Sequence, residues 1–269
     1  MKCRVEKSEI DGDIVCPPNK SYTHRAIFMA SLAIDKSIIK NILRSEDTKA
    51  TIDTCKNFGV EISDVGDDIT VTSASELKIK SDTIDAANSG TTIRIAAAIA
   101  SLADNKITLT GDSSLKKRPM QPLLDALESL GAQCSSSNGN PPISVKGRIK
   151  GGKVKISGNM SSQFISALMI TAPKLENGLI INIDGKLVSK PYIDATITTM
   201  KKFGVDVEIK TPYKKYIIPE QNYKSTTLTI PSDFSSLALL LAAAVLLGED
   251  LTIKASTGSM PQADEAIID

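Results

Sequence analysis

The sequence predicts an α/β fold of internal repeats of roughly 70 residues, βαβαββ in type, set about a pseudo-threefold axis. Three observations carry this. Helical segments ending in Phe-Gly or Leu-Gly recur with their glycines at Gly59, Gly131 and Gly204, 72 and 73 residues apart. A second helix series, Ser-led and rich in Ala and Leu, keeps the same beat from Ser21, Ser89, Ser161 and Ser235. After each of these comes a short polar turn and then a β-branched strand. The unit is seen three times and begun a fourth.

Taken in order, the elements justify themselves locally. Pro17 and Pro18 hold the chain extended, Asn19 or Ser21 offers an N-cap, and Ile27 to Ala33 continues at helical spacing, so a helix is predicted from Ser21 to Ala33. Its counterparts run Ser89 to Ala103, Ser161 to Ala172 and Ser235 to Gly248. All four are apolar nearly all round, which predicts burial. The strands that follow are centred on Ser37–Ile39, Lys106–Leu109, Leu179–Ile181 and Leu251–Ile253. The other helices run Ala50 to Phe58, Pro122 to Leu130 and Tyr192 to Phe203, each closed by a glycine where a left-handed residue is wanted. An alternating strand is expected directly after each glycine, as in Val205-Asp206-Val207. The fourth unit reaches Gly258-Ser259-Met260-Pro261-Gln262 and stops at Asp269, inside what should be its second helix. On this reading the chain is cut off. Leu237 to Leu247 is too short to span a bilayer and reads as a buried helix.

Composition excludes several classes. With 41% hydrophobic and 23% charged residues and a net charge of +1, nothing calls for a nucleic-acid or membrane partner. Cys3, Cys16, Cys55 and Cys134 lack metal-ligand spacing, and His24 is the only histidine. That argues against a metal site and against a Ser-His-Asp triad. Scattered cysteines without a signal peptide fit a reduced, cytoplasmic protein. No strand is followed by GxGxxG or GxxxxGKS.

The chemistry sits at helix starts. Lys20, Ser21 and Arg25 converge on the positive end of a helix dipole, where a phosphate or carboxylate would be held; a solvated basic first turn is the plainer alternative. The later starts are also polar: Asn88-Ser89-Gly90-Thr91-Thr92-Ile93-Arg94 and Asn159-Met160-Ser161-Ser162-Gln163-Phe164. Gly90 would let a ligand approach the backbone, while each hydroxyl could simply be a cap. Arg118, before a helix-starting Pro119, would present a rigid guanidinium fork. Lys116 and Lys117 read as surface lysines, and Tyr192 after Lys190-Pro191 either lines a polar ring or packs.

Pro18 to Ala26, Asn88 to Arg94, Lys117 to Met120, Ser161 to Phe164 and Leu187 to Asp194 resemble, in order, the signatures of the 5-enolpyruvylshikimate-3-phosphate synthase family. The resemblance spans the chain and about the N-terminal three-fifths of the family's length. It implies the enolpyruvyl transferase fold, two three-repeat domains with the active site between them. Residues 18–227 would be the complete domain, and 1–17 plus 228–269 part of the second. It implies transfer of the enolpyruvyl group of phosphoenolpyruvate to the 5-hydroxyl of shikimate 3-phosphate, with release of phosphate and no metal or organic cofactor. Lys20 would touch both substrates and act in catalysis. Ser21, Arg25, Ser161, Ser162, Ser189 and Tyr192 would hold shikimate 3-phosphate. Gly90 and Arg118 would hold phosphoenolpyruvate, Gln163 would lie between the two substrates, and Asp233 would stand near the hinge. The proton-transferring carboxylates would lie beyond Asp269, so this chain alone would be inactive. The full-length enzyme would be a monomer, whereas the shorter chain could self-associate through its apolar last helix. Two alternatives stay open: a non-catalytic half-enzyme that binds shikimate 3-phosphate, and the sister UDP-N-acetylglucosamine transferase. The latter would show Lys-Asn-Ala at Lys20-Ser21 and a cysteine near Arg118, and the chain has neither.

Overall fold

The computed structural model describes residues 9–74, 76–256 and 260–268. Residues 1–8 of the first segment assigned to the partial domain, Cys3 among them, and Gly258, Ser259 and Asp269 lie outside the described residues. β1 (Ile10–Val15) leads through Pro17 and Pro18 into α1 (Lys20–Leu32), followed by β2 (Asp35–Lys40), α2 (Glu46–Asn57), β3 (Glu61–Val65) and β4 (Asp68–Ser73). The next unit is β5 (Thr83–Asp85), α3 (Gly90–Ala100), β6 (Ile107–Thr110), α4 (Gln121–Ser129), β7 (Gln133–Ser137) and β8 (Asn140–Lys146). The third is β9 (Gly152–Ser157), α5 (Ser162–Thr171), β10 (Leu179–Asp184), α6 (Lys190–Lys202), β11 (Glu208–Thr211) and β12 (Lys215–Ile218). β13 (Thr227–Thr229), α7 (Phe234–Leu247) and β14 (Gly248–Lys254) close the order.

The strand orders show how the repeats are wired. Two four-stranded sheets run β5-β6-β8-β7 and β9-β10-β12-β11, each with its first pair parallel and the others antiparallel. The sheet around α1 runs β13-β2-β4-β3, so its opening strand comes from far along the chain and pairs in parallel, Leu228 opposite Ile39. Reciprocally, β1 pairs in parallel with β14 and serves as opening strand for the unit begun by α7. The chain therefore crosses twice between the two units. The crossings are tied together: Asn19 N–H donates to Pro231 O (2.8 Å) and Asp233 N–H to Pro17 O (2.8 Å).

α1, α3 and α5 are the buried helices, with nearly every residue from Tyr22 to Leu32, Thr92 to Ala100 and Phe164 to Thr171 out of water. Ala96, Ala97, Ala98 and Ala100 keep α3 slim where it packs on α5. α2 touches both α1 and α3, and α6 touches both α1 and α5, so the polar first turns of the inner helices gather at one end. The three Phe/Leu-Gly closures are as expected, with Gly59, Gly131 and Gly204 at φ of +91°, +105° and +75°.

Three expectations need correction. Pro119 does not start a helix: a 3-10 turn at Leu115–Lys117 precedes it, and α4 begins at Gln121 with Pro122 in its first turn. Arg118 is extended (φ −88°, ψ 130°) and Met120 N–H is taken by Gly139 O (2.8 Å), so the helix starts only after them. No strand follows Gly204 directly; β11 starts at Glu208 because Asp206 N–H bonds to the Gln221 side chain (2.9 Å) instead of a ladder. The last apolar helix is not buried either. Leu239, Val245 and Leu246 of α7 are 75%, 84% and 78% exposed, because only Phe234 and Leu237 find a full apolar surround, beside Cys16.

Candidate anion site at the starts of the inner helices

Asn19 caps α1: its Oδ1 accepts from Tyr22 N–H (2.9 Å), while Nδ2 donates to Asp233 Oδ1 and Gln262 Oε1, both at 2.7 Å. Ser89 caps α3 and Ser161 caps α5, through side-chain oxygens that accept from Thr92 and Gln163 N–H. The first turns of α1, α3, α5 and α6 contain no acidic residue. Helix starts ordinarily attract carboxylates, so these positive poles stand without their usual partner.

Arg25 is 2% exposed. Its Nε donates to Thr196 Oγ1 (2.8 Å), and its terminal nitrogens donate to Ser21 O (3.0 Å) and Tyr192 O (3.1 Å). The guanidinium lies 5.8 Å from the Tyr192 ring centroid. These partners are neutral. Burial lowers the Arg25 pKa to about 10, the mark of a charge that lost water without gaining a counter-ion. Ser189 stands exposed at the left-handed N-cap of α6 (φ +56°) with no capping bond from its side chain, and its carbonyl accepts from Tyr192 N–H (3.2 Å). Ser162 is buried in the first turn of α5, next to Ser161.

A second cluster forms around Gly90. Arg94 reaches across to Gln163 Oε1 and lies 5.0 Å from the Phe164 ring centroid. Arg118 donates to Asn88 Oδ1 (3.1 Å). A Cβ on Gly90 would come within 2.7 Å of an Arg118 terminal nitrogen and 3.2 Å of an Arg94 one, so the glycine is what lets two guanidiniums share that space. Burial, and then the Arg118 charge, bring the Arg94 pKa to about 10. Arg94 Nε is buried without a hydrogen-bond partner. Lys20 stands apart from both clusters, half exposed, its Nζ 3.1 Å from Asp47 Oδ2 at the start of α2. Among the described residues, Arg25, Arg94 and Arg118 have no carboxylate partner.

The structure thus joins Ser21, Arg25 and Tyr192 in one group, and Gly90, Arg118, Gln163 and Ser161 in another. Lys20 reaches neither group directly. Arg94 belongs to the second group but was given no role from sequence. The signal was there: one arginine in an otherwise apolar helix must leave water, and that is costly unless something negative meets it. Asp47, Ser166 and Thr196 carried no comparable signal, since each is an ordinary helix residue until the fold sets it against Lys20 or Arg25.

Three βαβαββ units, the first two with buried arginines that lack a carboxylate partner near the starts of α1 and α3, define an α/β repeat protein with a candidate anion site. The family model described as EPSP synthase (3-phosphoshikimate 1-carboxyvinyltransferase) matches residues 5–269. The chain belongs to that family. It is 58% identical over 269 residues to the 3-phosphoshikimate 1-carboxyvinyltransferase of Nitrosopumilus maritimus (strain SCM1), and 46% identical over 275 residues to that of Methanosarcina mazei. In both cases the match covers 100% of this chain and 64% of the relative. The fold is shared with EPSP synthase from Acinetobacter baumannii at a TM-score of 0.78 and 25% identity, over 93% of this chain and 57% of that one. The chain thus spans about two-thirds of the length of the relatives it matches.

Proposed function

We propose that the chain carries the shikimate 3-phosphate-binding domain of an enolpyruvyl transferase, acting in the shikimate pathway that leads to chorismate and the aromatic amino acids. The reaction moves the enolpyruvyl group of phosphoenolpyruvate to the 5-hydroxyl of shikimate 3-phosphate and releases phosphate. The observation that carries this is the pair of buried, uncompensated guanidiniums, Arg25 and Arg94, at helix starts: two anionic substrates need fixed positive potential to be brought together. In this reading Arg25, with Ser21, Ser161, Ser162, Ser189 and Tyr192, receives shikimate 3-phosphate, and Gly90 and Arg118 receive phosphoenolpyruvate. Gln163 lies between the two, supported by its bond to Arg94. Lys20 is the catalytic cation, poised by Asp47 and free to turn to substrate because the pair is exposed.

Residues 18–227, carried through β13 to Thr229, form the three-repeat domain; 1–17 with the residues after it belong to a second. The pairing of β13 with β2 and of β1 with β14 supports the division. The reaction's proton transfers need positioned carboxylates, which the family pattern sets beyond Asp269. No described helix is long and apolar enough to cross a membrane; the cytoplasm and a monomeric full-length enzyme complete the reading. Calorimetry with shikimate 3-phosphate and then phosphoenolpyruvate tests it, with a phosphate-release assay beside it. Weak binding of shikimate 3-phosphate without turnover is expected. Absence of binding contradicts the site, and turnover above background, with full-length enzyme excluded, contradicts the need for carboxylates beyond Asp269.

A further inference from the structure

The chain's one histidine is not used in the chemistry above, yet it sits between the site's two halves. His24 follows Lys20 by one helical turn on α1, is 1% exposed, and places Nδ1 2.7 Å from Thr51 Oγ1 on α2. Thr51 Oγ1 lies 2.7 Å from Thr92 Oγ1 on α3, and Thr92 donates to Ser89 Oγ, again at 2.7 Å. The Asp47 carbonyl is 3.5 Å from both threonine hydroxyls, while its carboxylate holds Lys20.

A hydroxyl has one hydrogen to give, which fixes the direction of this chain. Thr92 spends its hydrogen on Ser89, so Thr51 must donate to Thr92, and His24 Nδ1–H must donate to Thr51. The neutral ring is then the Nδ1–H tautomer, and its Nε2 is left buried with no partner. Leaving a buried polar atom unpaired costs stability, and an apolar side chain here would avoid that cost. The use of the histidine therefore lies at Nδ1.

We propose that His24 is a positioning residue: through Thr51, Thr92 and Ser89 it holds the start of α3, and with it Gly90 and Arg94, in register with Lys20 and Arg25 on α1. The relay makes the phosphoenolpyruvate end of the site answer to the α1 end. This rests on the substrate assignment given above, but the relay itself can be tested without it.

With one histidine in the chain, ring nitrogen NMR needs no assignment. An Nδ1-protonated neutral ring is expected for residues 1–269, and an Nε2-protonated ring overturns the proposal. Thr51→Val breaks the relay and keeps the shape; Thr51→Ser keeps the hydroxyl; Thr92→Val is an independent break should the first variant not fold. With shikimate 3-phosphate bound, phosphoenolpyruvate affinity by calorimetry should fall about tenfold in either valine variant, the effect of one unpaired buried group, and return in Thr51→Ser. Unchanged affinity in folded Thr51→Val overturns the proposal. If the wild type binds neither ligand, the substrate assignment fails, and the amide signals of Gly90 and Arg94 still decide the relay: shifts in Thr51→Val that Thr51→Ser does not show support it, and unmoved signals overturn it.

Discussion

At the scale of single residues, burial and charge oppose each other at the starts of α1 and α3. His24 shows the effect on stability. Burial is the main cause that takes its pKa down to about 3; Asp47 works against this, and Lys20 and Arg25 add to it. The folded state keeps the ring neutral while the unfolded chain protonates near pH 6.5, so the contribution is complete above that pH and is lost as pH falls toward 3. Denaturant unfolding should show wild type losing up to about 1.4 kcal/mol per pH unit between pH 6 and pH 4 relative to His24→Asn, and a flat difference would place the ring in water. At Gly90, alanine adds a Cβ that meets only the flexible ends of Arg118 and Arg94, on a helix where alanine is otherwise favoured. Gly90→Ala should therefore keep or slightly raise the melting temperature while weakening phosphoenolpyruvate binding measured by calorimetry. Lys20, Ser21, Arg25, Gly90 and Arg118 stand out in sequence as basic, hydroxyl or glycine residues beside expected helix starts, although Arg118 falls before α4 rather than in its first turn. Asp47 is not legible that way because its partner lies 27 residues away, and the apolar helix that marks Arg94 does not show its partner, 69 residues away.

At the scale of elements, the repeat beat was readable because each helix must end where its strand begins, and glycine marks that place. Gly59 is the sharpest case: φ is +91° and a Cβ would lie 2.7 Å from both Cβ and O of Lys78. Gly59→Ala should cost at least about 1 kcal/mol in chemical denaturation, since the left-handed residue and the contact both resist it. Equal stability would mean that the loop carrying Lys78 gives way freely. α7 shows where pattern reading failed. An apolar helix predicts burial, but burial also needs a surface to pack on, and among the described elements this one packs chiefly on β1, β14 and the turn at Ala263–Ile267. Its exposed Leu239, Val245 and Leu246 form the kind of face that is costly in water, about 1.5–3 kcal/mol per large side chain. Limited proteolysis followed by mass measurement should leave a fragment ending near residue 230. An intact monomer with α7 protected from hydrogen exchange would contradict this.

At the scale of the whole molecule, the opening strand of each of two units is supplied by the other stretch of chain, so Asn19, Pro231, Asp233 and Pro17 form one double crossing between them. That exchange was not legible from periodicity, because β13 is three residues long and pairs with β2 nearly 190 residues earlier. The inner helices were legible, since their all-round apolar surfaces leave no place but the centre. The arrangement sets the cationic starts of α1 and α3 beside the polar start of α5, and its use stands or falls with the anion it holds. The most direct measurement is the affinity of residues 1–269 for shikimate 3-phosphate, wild type against Arg25→Ala, by calorimetry. Removing a buried, otherwise uncompensated guanidinium should weaken binding by on the order of 2–4 kcal/mol with little change in the heat-unfolding midpoint. Equal affinity in the two proteins would contradict the assignment of the Arg25 pocket to the substrate phosphate.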